Sequence, residues 1–245
     1  MNIVCIIPSR YASSRFVGKP LADICGKPMI QRVYERVRKS DIVSRVLVST
    51  DDVNICKAVE AFGGEVVLSS AKNRSGTDRV AESATAIGLN DEDIIINIQG
   101  DQPLFDPRQI NEVVQPLIEN ETIPMATLIY KIHNEAEVTH QNAVKTVVNA
   151  NGFAVYFSRA TIPFVRDVGN TTDYYKHHGI YAYRKWFLDI FAKLPTGNLE
   201  KLEALEQLRA IEYGYPIKIV ISKYDSLEVD TPAELEEVKK LFYEK

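Results

Sequence analysis

Apolar runs of strand length alternate along this chain with stretches whose apolar residues recur every three or four positions. The runs suit strands buried on both faces and the stretches suit amphipathic helices. Their alternation predicts a mostly parallel sheet with helices on both sides. Residues 3–7 predict the first strand, and Met29, Val33 and Val37 put an apolar stripe on the first helix. Residues 45–49 predict a second strand. Thr50-Asp51-Asp52 then opens a helix through Ile55, Val59 and Phe62, which Gly63-Gly64 stops. A third strand at 65–68, a helix from Ser75 to about Gly88 and the most apolar strand, 93–98, follow. That last strand is expected at the centre of the sheet.

After Asp106-Pro107 the pattern predicts a helix to about Asn120, and from Met125 the texture changes. Strands at 126–132, 143–148, 154–157 and 178–183 predict a mixed, partly antiparallel second half. Leu199, Leu202, Leu205, Leu208 and Ile211 predict one amphipathic helix over 198–213. A strand at 217–222 and a closing helix at 232–243, with Pro232 in its first turn, complete the chain. No repeat, low-complexity tract or Pro/Gly linker separates the halves, so a single domain over 1–245 is expected.

Composition narrows the class. Of 245 residues, 45% are hydrophobic and 25% charged, as in an ordinary soluble globule. No apolar run reaches about 18 residues, so no membrane span is expected, and the N-terminus enters a strand with no sign of a signal peptide. Cys5, Cys25 and Cys56 form no C-x-x-C pair and fit reduced thiols in a cytoplasm. The formal charge of -4 argues against nonspecific nucleic-acid binding, so an anionic ligand must be held by local basic clusters. That points to a small ligand.

The stretch from Ile6 to Leu21 supplies such a cluster. Arg10, Arg15 and Lys19 follow the first strand in a loop of small residues, before the first helix. Strand, basic loop and helix form a polyphosphate holder: the backbone approaches closely and the cations neutralise oxygens. The loop is neither a Walker A nor a G-x-G-x-x-G sequence, and a solvated basic loop is the other reading. Asp101 directly follows the most apolar strand, where open α/β sheets bind ligands. Its carboxylate suits magnesium on phosphate oxygens, or a turn before Pro103. Asp230, just before the last helix, suits a second metal ligand or an N-cap. Spacing does not show whether the two carboxylates meet.

Seven motifs in order then carry a resemblance over nearly the whole chain: IPSRYxSSRxxGKPL, SGTDR, NIQGDQP, YFSRAxIP, KHHGIYAY, LExLEQLR and VDTPxEL. Together they closely resemble the 3-deoxy-manno-octulosonate (Kdo) cytidylyltransferases. The resemblance implies a glycosyltransferase-A-like (Rossmann-like) α/β fold, a homodimer, dependence on Mg2+ and a cytoplasmic role in lipopolysaccharide synthesis. The implied reaction joins CTP and Kdo into CMP-Kdo and pyrophosphate. By resemblance, Arg10, Arg15 and Lys19 hold the triphosphate, Pro8 and Ser9 help read the cytosine, and Asp101 and Asp230 hold the metal. Lys19, Asp101 and Asp230 are the implied catalytic set. Arg79, Gln99, Arg159, His177, Glu206 and Gln207 are implied to grip the sugar acid.

His177 and His178 are adjacent at the start of a predicted strand, where neighbours face opposite ways. This argues against a shared chelate and leaves a satisfied structural histidine as the other reading of His177. Val17 and Cys25 depart from residues frequent in the family, as does Ser226-Leu227-Glu228 before Val229-Asp230. The C-terminal half also resembles a branch acting on the 8-amino-8-deoxy analogue of Kdo. Glu228 is the candidate partner for that amine. The rival activities are another sugar-acid cytidylyltransferase, such as a sialic-acid type, and a noncatalytic nucleotide-binding protein on the same fold.

Overall fold

Side chains alternate along the first strand between two cores, and this sets the architecture. The computed structural model describes residues 1–12, 16–167 and 169–243. In β1 (Ile3–Ser9), Cys5 and Ile7 join one core while Val4 and Ile6 join the other, as the two-residue period of a strand requires. The first core is closed by α1 (Met29–Val37), α2 (Val53–Ala61) and α4 (Arg108–Glu119). The second is closed by α3 (Gly76–Ala86) and α6 (Lys185–Lys193). Between helices run β4 (Arg45–Thr50), β5 (Glu65–Leu68) and β6 (Ile94–Ile98), after a small hairpin of β2 (Asp23–Ile24) and β3 (Lys27–Pro28).

β7 (Met125–Lys131), α5 (Glu135–Thr139), β8 (Lys145–Val148), β9 (Ala154–Ser158) and β10 (Tyr175–Arg184) build the second half. It ends in α7 (Asn198–Glu203), α8 (Leu208–Glu212), β11 (Ile217–Ile221) and α9 (Pro232–Tyr243). The main sheet has the order β11-β7-β10-β6-β1-β4-β5, with β8 and β9 attached through β10. All five residues of β6 are buried, and it lies mid-sheet as expected. β6, β1, β4 and β5 are parallel, whereas β10 runs antiparallel to both β6 and β7. Because Ile180 of β10 pairs with Ile98 at the end of β6, the start of β10 projects beyond the carboxyl edge of the parallel strands. That edge is where open α/β sheets bind ligands. No described helix is long and apolar enough to cross a membrane.

Two differences from expectation matter. The single helix predicted over 198–213 is two short ones, α7 and α8, broken at Ala204, which adopts a left-handed conformation (φ 51°). The leucines recur every three residues, and on a 3.6-residue helix that spacing rotates by about 60° per step, so no single face collects them. Leu202 is accordingly 75% exposed while Leu205 and Leu208 are buried. The left-handed alanine costs about 1–3 kcal/mol of local strain, and the turn it makes directs Glu206 and Gln207 into a cleft. The second difference is α6, which follows β10 without a loop and buries Phe187, Leu188 and Phe191; none of the predicted elements corresponds to it.

Candidate active site

At the carboxyl edge, β1 ends in Pro8-Ser9 and β6 leads into Gln99-Gly100-Asp101. A Cβ on Gly100 would collide with Ser9 Oγ and stand 3.3 Å from the Pro8 carbonyl oxygen, so only glycine lets the two strand ends converge. Pro8, Ser9, Gly76, Arg79 and Gln99 line a cavity of about 500 Å³, with exposed Arg10 also on its wall. The Ser9 hydroxyl is buried and has no hydrogen-bond partner among the described residues. Such an orphan costs free energy unless a ligand satisfies it. Arg15 lies outside the described residues. Arg79, implied to hold the sugar, lines this cavity, donating to Ser69 Oγ and pairing with Asp51 at 3.2 Å.

Lys19 reaches the site from the loop that follows β1. Gly18, at φ 71°, donates its N–H to the Tyr11 carbonyl, and Lys19 starts a short 3-10 turn that includes Pro20. The Lys19 ammonium lies 2.6 Å from Asp101 Oδ2 and 3.2 Å from Asp230 Oδ1. Burial would lower the Lys19 pKa, but Asp101 and Asp230 outweigh it and raise the value. The two carboxylates therefore do meet, and a cation of the protein itself sits between them. The N-cap reading of Asp230 fails: Thr231 Oγ1 accepts from the Glu234 N–H at 3.3 Å. Glu234 in return accepts the N–H groups of Asp230 and Thr231 at 2.7 and 2.8 Å. This reciprocal cap leaves the Asp230 side chain turned to Lys19.

A second cavity, of about 600 Å³, opens on the other side of Gly76, Gln99 and Glu206, which line both. Arg159 lines it and donates to the backbone carbonyls of Glu203 (2.7 Å), Gln141 (3.1 Å) and Ala204 (3.4 Å). No carboxylate neutralises it among the described residues, so its charge is available to an anion. His177 packs edge-on against Phe157 and bonds Thr127 Oγ1 through Nε2 at 3.0 Å. Thr127 spends its own proton on the Ile180 carbonyl, which assigns the His177 proton to Nε2 and leaves Nδ1 an acceptor. Burial, helped by His178, lowers the His177 pKa to about 3, so the ring is neutral near pH 7. Gln207 accepts from the Tyr181 hydroxyl, and its buried amide nitrogen has no partner among the described residues. Glu206 accepts from Ser75 Oγ at 2.7 Å, and burial raises its pKa.

Glu228 closes the end of this cleft nearest Lys19, accepting from Gln102 Nε2 at 2.7 Å. It is open to the cleft, yet the protein crowded around its carboxyl, and then Asp101 and Asp230, push its pKa up to about 7. The folded value exceeds the ordinary one of about 4.5, so ionised Glu228 weakens the fold increasingly between those values and by a constant amount above them. Glu228→Gln is expected to raise the melting temperature at about pH 8 and leave it unchanged at about pH 4. An equal shift at both would remove this assignment.

Sequence reasoning passed over Gln102, Gly179 and Tyr181. Tyr181 was legible, four positions after His177 on the same strand face. Its ring centroid lies 5.3 Å from that of His177, and the extra residues between His178 and Tyr181 preserve the parity. Gln102 and Gly179 were not, because each matters only through Glu228, 126 residues from Gln102: a Cβ on Gly179 would stand 3.3 Å from its Oε1.

Two joined cavities at the carboxyl edge of a Rossmann-like sheet, one basic-rimmed and one polar, define a nucleotide-using α/β protein. More particularly, residues 4–221 match the cytidylyltransferase family, and the chain belongs to it. It is 60% identical over 238 residues to the 3-deoxy-manno-octulosonate cytidylyltransferase of Syntrophus aciditrophicus (strain SB), covering 97% of this chain and 96% of that protein. It is 54% identical over 239 residues to the 8-amino-3,8-dideoxy-manno-octulosonate cytidylyltransferase of Shewanella halifaxensis (strain HAW-EB4), covering 96% of each. A solved CMP:2-keto-3-deoxy-manno-octonic acid synthetase complexed with CTP superimposes with a TM-score of 0.93. Its identity is 42%, over 100% of this chain and 99% of that one.

Proposed function

We propose that this cytidylyltransferase joins CTP to Kdo, or to its 8-amino analogue, releasing pyrophosphate and serving lipopolysaccharide synthesis. The observation that carries the reading is the pair of cavities meeting at Gln99 and Glu206, beside the Lys19–Asp101–Asp230 cluster. The N-terminal half takes the nucleotide, with Arg10 and Lys19 on the triphosphate and Pro8 and Ser9 against the base. The C-terminal half takes the sugar acid. Arg159 faces its carboxylate, neutral His177 accepts from a hydroxyl and the Gln207 amide donates to another. The anomeric oxygen bonds the α-phosphorus as the α–β phosphoanhydride bond breaks and pyrophosphate leaves, and the hydroxyl proton passes to solvent water. Positioning and charge stabilisation do most of the work.

Magnesium is part of this reading. Asp101 and Asp230 already reach one cation, the Lys19 ammonium, and their hard oxygens suit Mg2+. Among the described residues no third His, Cys, Asp or Glu completes a metal-holding group, so the remaining ligands would come from substrate or water. When bound, the ion would neutralise charge on the phosphates.

The test is pyrophosphate release from CTP with Kdo and, separately, with the 8-amino sugar; silence with both sinks the reading. Glu228 on the cleft wall favours accepting an amine. Preference for the hydroxyl sugar, unchanged in Glu228→Gln, would remove that part. Arg159→Met is expected to raise the KM for sugar while leaving the KM for CTP within about twofold, since it strips a charge-assisted contact worth roughly 1.5–3 kcal/mol. An equal loss for CTP would place Arg159 in the other subsite. A homodimer belongs to the proposal too, supported by the apolar side chains of Val155 and Phe164, 52% and 85% exposed; sedimentation equilibrium tests it. The three free cysteines support a cytoplasmic setting.

A further inference from the structure

His177 faces the sugar-side cleft, while its neighbours on β10, Lys176 and His178, point to the opposite face of the sheet. There both grip one carboxylate. Lys176 Nζ lies 3.0 Å from Asp225 Oδ2, and His178 Nε2 lies 3.1 Å from Asp225 Oδ1. The grip is itself braced. Lys176 also bonds Glu137 at 2.7 Å, and His178 stacks on Tyr130 with centroids 5.8 Å apart. Gln109 of α4 donates its amide to His178 Nδ1 at 3.1 Å, which leaves the ring proton on Nε2, aimed at Asp225. The same amide nitrogen reaches the Tyr224 carbonyl at 3.0 Å.

Asp225 begins the last six residues of an irregular strap, 222–230, that joins β11 to α9 and has no helix or strand of its own. At its far end the strap carries Glu228 and Asp230, both lining the sugar-side cleft. There it is tied down by the Val229 N–H donating to the Asp101 carbonyl at 2.9 Å. A segment without regular structure is held by such side-chain and backbone ties, here together with the fully buried Val229 side chain. The strand that presents His177 to the sugar therefore also clamps the strap that presents Asp230.

We propose that Asp225, clasped by Lys176 and His178, is a positioning residue for nucleotidyl transfer: it sets where the strap holds Glu228 and Asp230 against the cleft. The inference rests on the cytidylyltransferase reading for its kinetic consequence, though not for its structural one. A displacement of about 1 Å at a reacting centre can cost on the order of 10²-fold. Asp225→Ala is therefore expected to lower kcat by roughly 10- to 100-fold, with the KM for sugar within about twofold. Asp225→Asn keeps the acceptor for His178 and loses only the charge facing Lys176, so it should recover much of that loss.

Hydrogen exchange of the nucleotide-free protein reads the strap directly. In Asp225→Ala the Val229 amide should lose protection while the amides of β6 keep theirs. Unchanged Val229 protection, or kcat within twofold of wild type in an active enzyme, overturns the proposal. So does a uniform loss of protection that includes β6, because Asp225 would then only stabilise the whole fold. Should Asp225→Ala not fold, the same two readings on His178→Phe, which keeps a ring on Tyr130 but cannot donate to Asp225, decide it. Wild-type protein inert with CTP and both sugars would sink the transferase reading, and exchange alone would then decide the clasp.

Discussion

Asp101→Asn or Asp230→Asn is expected to lower kcat on the order of 10²–10³-fold, about 2.7–4 kcal/mol, with the fold intact. Each change keeps side-chain shape and removes one charge. In the free protein both carboxylates converge on the Lys19 ammonium, at 2.6 and 3.2 Å, so they act on one point in space. Their effects should for that reason be far from additive, as for groups that work as a unit. A double-mutant cycle at saturating magnesium, with folding checked by near-UV dichroism, measures this. Near-wild-type turnover in either single variant, or two losses that simply multiply, would show that the carboxylates do not serve a common charge.

Lys19→Ala is expected to raise the KM for CTP by roughly 10- to 150-fold, the equivalent of about 1.5–3 kcal/mol for a lost charge-assisted contact. The structure adds a second consequence. The Lys19 ammonium lies between Asp101 and Asp230, and both carboxylates are close enough to Glu228 to raise its pKa. Removing the ammonium takes away a positive charge that both carboxylates share, which favours any cation that enters. Lys19→Ala should therefore bind Mn2+ more tightly than wild type in the absence of nucleotide, measured by calorimetry, while turning over CTP less well. Unchanged CTP kinetics would reduce the loop to solvated surface. Unchanged Mn2+ affinity would mean that the carboxylate pair is not a cation site.

The two outcomes bear on how the basic loop is read. From the sequence, Lys19 is one of three positive charges poised for phosphate. In the folded protein it is also the partner of Asp101 and Asp230, from which 82 and 211 residues separate it. Two carboxylates that share a cleft repel each other unless a cation intervenes. The chain supplies that cation from β1's own loop, and no spacing rule could have shown it.

Local physics determined much of this protein from the sequence. The strict alternation in β1, the unbroken apolar run of β6 and the caps at Asp52 and Ser75 each depend on residues within a few positions. Strand, helix start and sheet class were therefore legible, and so was the placement of Asp101 at a strand end. Seven ordered motifs carried the family. Tertiary structure alone decided the rest, because the deciding contacts join residues far apart in the chain. The left-handed turn at Ala204 replaced one long helix with two, since the core selected Leu205 and Leu208 and released Leu202. Arg79 lines the cavity beside Pro8 and Ser9 because Asp51 and Ser69 are there to receive it. Glu228 is poised near neutrality only because folding crowds protein around it and brings Asp101 and Asp230 close. Local propensity names the elements and their ends, whereas which charges share a cleft is set by how the sheet edge gathers loops from the whole chain.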